Sequence, residues 1–247
     1  MGDLSFDLCF ADIIIWRYMD FWKFVSLLKE QALYFTRVDT LKDPFEGKLP
    51  QPNIERIINS LKKHSPQDII EKVIEHYNNS RNNYYVNCWC MKDYESSLMW
   101  DAYVTNRTGI AVRSSANKLK NSFNKDNKEP IKLCKINYID REITPIPDNR
   151  THFQVAHKSK FYEDERELRV LKMKFVPAQQ GEGLVYAGLA PPEEGLFVKV
   201  DLDSLIEEVL VRHDAPPKFE DLVMNVMKRY NLNKPVRRSD LAEKATS

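Results

Sequence analysis

The run Tyr84-Tyr85-Val86-Asn87-Cys88-Trp89-Cys90-Met91 limits the fold more than any other stretch of this chain. It is too apolar and too aromatic for anything but a central strand. A central strand needs neighbours, and apolar runs supply them. Ile13 to Tyr18 reads as a buried strand and Leu33 to Arg37 as a short one. Ile110 to Ser115 and Lys132 to Tyr138 follow, then an extended stretch from Glu165 to Val176. Leu196 to Val200, Val209 to Val211 and Val236 to Arg238 complete the set.

The helices between them are unequal. Asp20 is placed to cap a helix carrying Phe24, Leu27 and Leu28 on to Glu30. Pro52 to Lys63 and Pro66 to Asn79 follow, the second with Ser65 as cap and Pro66 in its first turn. Ser96 or Ser97 opens a short helix with Trp100 and Tyr103 on one face. Ala116 to Phe123 is weakly helical, and Pro217 to Tyr230 is the last helix. About eight strands interspersed in this way argue α+β with a mixed, twisted sheet and flanking helices. No Gly-x-Gly-x-x-Gly or Walker loop supports a doubly wound nucleotide fold.

Composition excludes several classes. With 247 residues, 43% hydrophobic, 30% charged and a net charge of +1, the chain is neither disordered nor polybasic. We expect a single α+β domain over 1–247 with its core at 13–240. No apolar run approaches the ~20 residues of a membrane span and the N-terminus lacks a leader pattern, so a cytoplasmic location is expected. Four cysteines without Cys-x-x-Cys spacing read as buried, reduced residues, and five histidines lack the spacing of metal ligands, so no metal is expected.

Charge concentrates at Lys158 to Leu171. If Glu165 begins a strand, then Glu165, Glu167 and Arg169 share one face, with successive carboxylates about 7 Å apart, and Leu168 and Val170 take the other. The face is either a solvated sheet edge or a cleft floor exposed together with Arg17. Should Arg169 neutralise Glu167, that pair is structural and the site lies elsewhere. Arg17, Thr36 and Arg37 sit on the two early strands, and Arg17 faces either a cleft or a neighbouring carboxylate. In the turn Asp43-Pro44-Phe45-Glu46-Gly47, Asp43 is expected to accept backbone N–H bonds and Phe45 to be buried. Glu46-Gly47-Lys48 also has the Glu-x-Lys spelling of a metal-dependent nuclease, although Asp39 and Asp43 lie too close to serve as its upstream partner. Lys118 to Lys128 reads as a surface loop and Gly181 to Gly195 as a flap.

These residues carry two resemblances. Arg17, Leu33-Tyr34-Phe35-Thr36-Arg37, Asp43-Pro44-Phe45-Glu46, Cys88, Trp100, Tyr103, Gly109, Lys158-Ser159 and Tyr162-x-x-Glu165-x-Glu167-x-Arg169 resemble a bacterial domain-of-unknown-function family over most of residues 13 to 240. That family usually has tryptophan at the position of Tyr162 and an aromatic-rich strand at Val112-Arg113-Ser114. Some of its members stand near phage-defence genes. The order Arg17, Thr36-Arg37, Ser114-Ser115, Glu165-x-Glu167 also resembles, more weakly, the ADP-ribosyltransferase superfamily.

The second resemblance implies NAD as substrate, no metal, and a macromolecular acceptor, either protein or nucleic acid, for a defence or toxin effector. It implies Glu167 as the carboxylate that stabilises a cationic ribose and Glu165 as the group that orients or deprotonates the acceptor. Arg17 would pair with the pyrophosphate. Thr36, Arg37 and Ser114 would lie on the NAD-binding strands, with Ser114 or Thr36 holding the ribose or the nicotinamide amide. Tyr103 or Trp100 would offer a stacking face. The alternative is a binding module whose Asp43–Gly47 and Glu165–Arg169 elements form a cleft without catalysis.

Overall fold

The computed structural model describes residues 13–123, 131–174 and 193–241. Along the chain these form β1 (Ile14–Asp20), α1 (Phe21–Glu30), β2 (Ala32–Arg37), α2 (Gln51–Leu61), α3 (Gln67–Asn79), β3 (Tyr84–Met91), α4 (Ser97–Tyr103) and β4 (Gly109–Ser115). Then come α5 (Ala116–Ser122), β5 (Ile131–Lys135), β6 (Asn137–Ile139), α6 (Thr151–Gln154), β7 (His157–Ser159) and β8 (Glu167–Met173). The chain continues with β9 (Gly195–Lys199), α7 (Leu202–Leu205), β10 (Glu208–Val211), α8 (Phe219–Arg229) and β11 (Val236–Arg238). Short 3-10 turns lie at Val38–Thr40, Ser80–Asn83 and Lys160–Glu165.

The fold is α+β, built on a mixed nine-stranded sheet among the described residues, with helices packed on it. β3 is its central strand, as its apolar sequence requires. On one edge it pairs antiparallel with β8 over an unbroken ladder from Tyr84↔Met173 to Cys90↔Glu167, and β5 pairs with β8 beyond it. The other edge of β3 is shared. β2 takes one end through Thr36↔Val86 and Arg37↔Tyr85, while β1 takes the other through Ile15↔Met91 and Trp16↔Cys90. Asn87, Cys88 and Trp89 lie between these two short ladders. β4, β10 and β11 continue outward from β1, and β9 pairs with β2.

α1 crosses from β1 to β2 and so spans the division. Phe24, Leu27 and Leu28 form a stripe at helical spacing that packs into the main core with Ile15, Met19, Trp89, Leu168 and Val170. The helix ends where Gln31 turns left-handed at φ 47° and donates its N–H to Leu27 O. Asp20 does not cap it. Its carboxylate accepts instead from the backbone N–H and hydroxyl of Thr105, at 2.8 and 3.0 Å, tying β1 to the end of α4.

Other expectations are revised in detail. Ser65 makes no cap; Pro66 occupies the N-cap of α3. The stretch from Lys132 to Tyr138 is two strands, because Ile136 N–H bonds Glu167 O and the chain then leaves β8 to pair with β7. Part of the expected Lys118 to Lys128 loop is helical in α5, and 124–130 lie outside the described residues. So do 181–192 of the expected flap, and Gly195 opens β9. No helix among the described residues is long and apolar enough to cross a membrane.

Candidate functional site

The charged stretch bends where an unbroken strand was expected. Glu165 ends the 3-10 turn, Arg166 is left-handed at φ 42°, and β8 starts at Glu167. From there the period of two holds: Leu168 and Val170 enter the main core, while Glu167 and Arg169 face the opposite side of the sheet. Because β8 lies between β3 and β5, this is no solvated edge, and Glu167 and Arg169 are only 3% and 0% exposed. Glu167 is therefore not open to the cleft in the way its alternation with Glu165 suggested.

Burial of these charges is compensated by pairing. Arg169 donates Nε and Nη2 to the two oxygens of Glu167 at 2.7 and 3.0 Å, and Nη1 to Glu46 Oε1 at 2.9 Å and to Val155 O at 2.7 Å. Lys158, on β7, adds a second cation. Its ammonium lies 2.7 Å from Glu165, 3.4 Å from Glu167 and 3.8 Å from Glu46, and 4.8 Å from the Tyr162 ring centroid. Burial pushes the Glu167 carboxyl up, but Arg169 and Lys158 outweigh it and hold the group well below the usual carboxylate range. Three carboxylates against two cations leave the cluster with one net negative charge. Arg169 does neutralise Glu167, and the outermost carboxylate is Glu165.

Glu46 reaches this cluster because its turn presents the opposite side chain from the one expected. Asp43 accepts from Phe45 N–H at 2.9 Å, yet Phe45 is 57% exposed and Glu46 is buried. Gly47 sits at φ +68°, and a Cβ there would meet Val38 Cγ1 at 2.9 Å, so the tight turn that drives Glu46 inward depends on glycine. Sequence reasoning assigned no site role to Lys158, although Lys158-Ser159 carries part of the resemblance. Nor did local spacing give Glu46 its partner, since Arg169 follows it by 123 positions.

The divided edge of β3 gathers a second group. Arg17 donates Nη1 to Cys88 O at 3.3 Å and lies 6.0 Å from the Trp89 ring centroid. Among the described residues its polar partner is this carbonyl and not a carboxylate. Burial lowers the basicity of Arg17, while Cys88 and Tyr103 act on its charge. Tyr103, with a ring 39% exposed, links the two groups. Burial pushes its phenol up, with Glu165, Lys158, Cys88 and Glu167 all within electrostatic reach. Cys88 is a donor to Glu167, and burial pushes its thiol well up, so it is no thiolate nucleophile.

The remaining candidates divide. Thr36 pairs with Val86 and so shares the sheet face of Val86 and Cys88. Arg37 is committed to Asp39, through contacts of 2.6 and 3.1 Å. Ser114 is fully buried and donates to Leu205 O, which corrects its placement on a ligand-facing strand end. Trp100 is core, its Nε1 donating to Glu95. The nuclease spelling fails on the same geometry, for Glu46 is engaged by Arg169 and Lys158. No three acids, histidines or cysteines gather as metal ligands among the described residues.

Residues 99–170 match the model of a family described as a protein of unknown function, DUF2971, a span that includes Tyr103, Lys158, Glu165, Glu167 and Arg169 but not Arg17 or Glu46. No curated protein matches the sequence. Among solved structures, the chain is similar to DarT from Thermus sp. 2.9 in complex with NAD+, at 10% identity over 92% of this chain and 96% of that one, with a TM-score of 0.40. It is similar also to the same protein in complex with ADP-ribosylated ssDNA, at 9% identity over 92% and 94% of the two chains, with a TM-score of 0.38.

Proposed function

We propose that this chain is an NAD-dependent ADP-ribosyltransferase-like enzyme that modifies a macromolecular acceptor, protein or nucleic acid, as a bacterial defence or toxin effector. The observation that carries the reading is the polarity across the divided edge of β3. On one side a half-buried arginine, Arg17, bonds a carbonyl instead of a carboxylate; on the other a buried cluster holds one net negative charge, and Tyr103 stands in reach of both. A dinucleotide whose pyrophosphate is anionic and whose nicotinamide ribose becomes cationic on reaction matches that polarity in both sign and order.

In this reading Arg17 pairs with the pyrophosphate, the exposed Tyr103 ring covers the nicotinamide, and Thr36 lies on the sheet face of Cys88 and Glu167. The C1′–N glycosidic bond breaks with its electron pair leaving on the nicotinamide nitrogen. The excess negative charge of the cluster stabilises the resulting oxocarbenium character. The acceptor nucleophile bonds C1′ and gives its proton to Glu165, the outermost carboxylate. Glu167, held at both oxygens, keeps Lys158 and Arg169 in place.

A non-catalytic binding cleft is the second reading, favoured by the fork of Arg169 across both oxygens of Glu167. One assay separates them: nicotinamide release from NAD by purified protein, with and without cell lysate as acceptor source, beside calorimetry with NAD. Release in either condition supports the transferase. Binding without release leaves the binding cleft, and neither release nor binding at millimolar NAD removes NAD from the account.

A further inference from the structure

Around the Asp43–Gly47 turn three cations, Lys48, Arg81 and Arg141, converge. Arg81 donates Nη1 to Glu46 O at 2.5 Å and to Pro44 O at 3.3 Å. Arg141 donates Nη2 to Lys48 O and Leu49 O, each at 3.0 Å, and its guanidinium carbon lies 5.7 Å from the Phe45 ring centroid. The Lys48 ammonium lies 5.9 Å from the same centroid and, among the described residues, bonds no carboxylate. Two of the cations thus use backbone carbonyls and the third only an aromatic face.

The acids nearby do not balance them. Asp39, Asp43 and Glu46 act on Arg81, and Asp43, Glu46 and Glu142 on Arg141. Asp39 is bidentate on Arg37, and Glu46 turns its carboxylate to Arg169 and Lys158. That leaves Asp43 and Glu142 against three positive charges. Burial lowers the Lys48 ammonium's pKa, and Arg81 and Arg141 lower it further against the opposing pull of Asp43, as expected where cations outnumber their counter-ions. The ring they surround is more than half exposed.

We propose that Lys48, Arg81 and Arg141 form an anion site for a phosphate group, with the Phe45 ring as the stacking face for a base attached to that phosphate. Two arginines fixed by backbone carbonyls and a lysine ammonium held by no hydrogen bond among the described residues provide positive charge, and an exposed aromatic beside them selects ligands with a flat π-face. The ligand class is a phosphorylated nucleoside, either a free nucleotide or a strand of nucleic acid. The site does not depend on NAD turnover, and it stands or falls by binding alone.

Lys48→Gln and Phe45→Ala are the variants to use, because neither side chain makes a hydrogen bond to the described fold, whereas Arg81 and Arg141 hold the turn together. Binding is measured with a fluorescein-labelled single-stranded oligonucleotide by anisotropy, and with ADP and inorganic pyrophosphate by calorimetry, at two salt concentrations. The expected result is salt-dependent binding of the oligonucleotide or of ADP that each variant weakens about tenfold. Lys48→Arg should restore it, with melting temperatures unchanged. Binding of ADP alone assigns the site to a free nucleotide and tighter binding of the oligonucleotide assigns it to a strand. If pyrophosphate binds as well as ADP and Phe45→Ala has no effect, the stacking half is overturned. If no probe binds, or Lys48→Gln leaves binding intact, the site itself is overturned.

Discussion

The two edges of β3 belong to one strand and differ in nearly everything else. Toward β8 the backbone is paired at every position from Tyr84 to Cys90, and the charges on that side, Glu167 and Arg169, are buried and matched. Toward β1 and β2 only the ends are paired, and the middle is bridged by side chains: Arg17 bonds Cys88 O, and Asn87 bonds Tyr34 O at 2.8 Å. A continuous ladder makes its charges structural, while an interrupted one leaves groups whose partners can be exchanged for a ligand. The ladder also ends at Glu167 and leaves Glu165 beyond it, which separates two residues that local spacing treats as alike.

The largest test is on the closed edge. Glu167→Gln leaves the buried Arg169 guanidinium with Glu46 as its remaining carboxylate, and should destabilise the fold by about 3–5 kcal/mol in denaturant melts. Glu165→Gln should cost less than that, because Lys158 keeps Glu46 and Glu167 as carboxylate neighbours. Equal costs would erase the distinction. Acid removes the same charge without mutation. The Glu167 carboxyl is held below its ordinary 4.5, at about 2, so its contribution is complete above pH ~4.5 and lost as pH falls toward 2. His157, whose burial lowers it from 6.5, also favours the folded state only in its neutral form, so loss begins below pH ~6.5. Melting temperature should therefore fall in two stages on acidification, and Glu167→Gln should flatten the lower one.

Beyond the end of the β8 ladder, at Glu165, and on the open edge, at Arg17, the effects should appear in function. Glu165→Gln is expected to cut nicotinamide release at least ~100-fold, about 2.7 kcal/mol of barrier, with NAD affinity held within about threefold. A matching loss of affinity would make Glu165 a binding group. Arg17→Ala should do the reverse and weaken NAD binding about tenfold, about 1.4 kcal/mol, because the pyrophosphate charge is constant through the reaction. Unchanged calorimetric affinity would remove Arg17 from the NAD site.

Much of the sheet is legible from sequence because its strands are short apolar runs with period two. Tyr84 to Met91 is the plainest case, and Glu167, Arg169 and Leu171 share a face as alternation requires. What is not legible is where a charge finds its partner. Glu165 leaves the strand because Arg166 adopts a left-handed conformation that no glycine or asparagine signals. Phe45, expected to be buried, is exposed and Glu46 is buried in its place because Arg169, far along the chain, needs a carboxylate more than the core needs another ring. Ser114 ends a strand as expected, but its hydroxyl is taken by Leu205 O, a contact visible only once α7 is in place.

The pairing of Glu46 with Arg169 has a consequence for the order of assembly. Their separation of 123 positions makes the contact strongly non-local: Arg169 brings Glu167 along as a local partner, but its Nη1 has no carboxylate until Glu46 arrives. β8 can therefore add to β3 without penalty only after the Asp43–Gly47 turn has docked and while β7 brings Lys158. A sheet closed before that turn docks would hold a buried guanidinium with one of its two carboxylates missing. Docking of that turn is thus expected to be the salt-sensitive step of refolding, with ionic strength altering its rate more than that of the hydrophobic collapse.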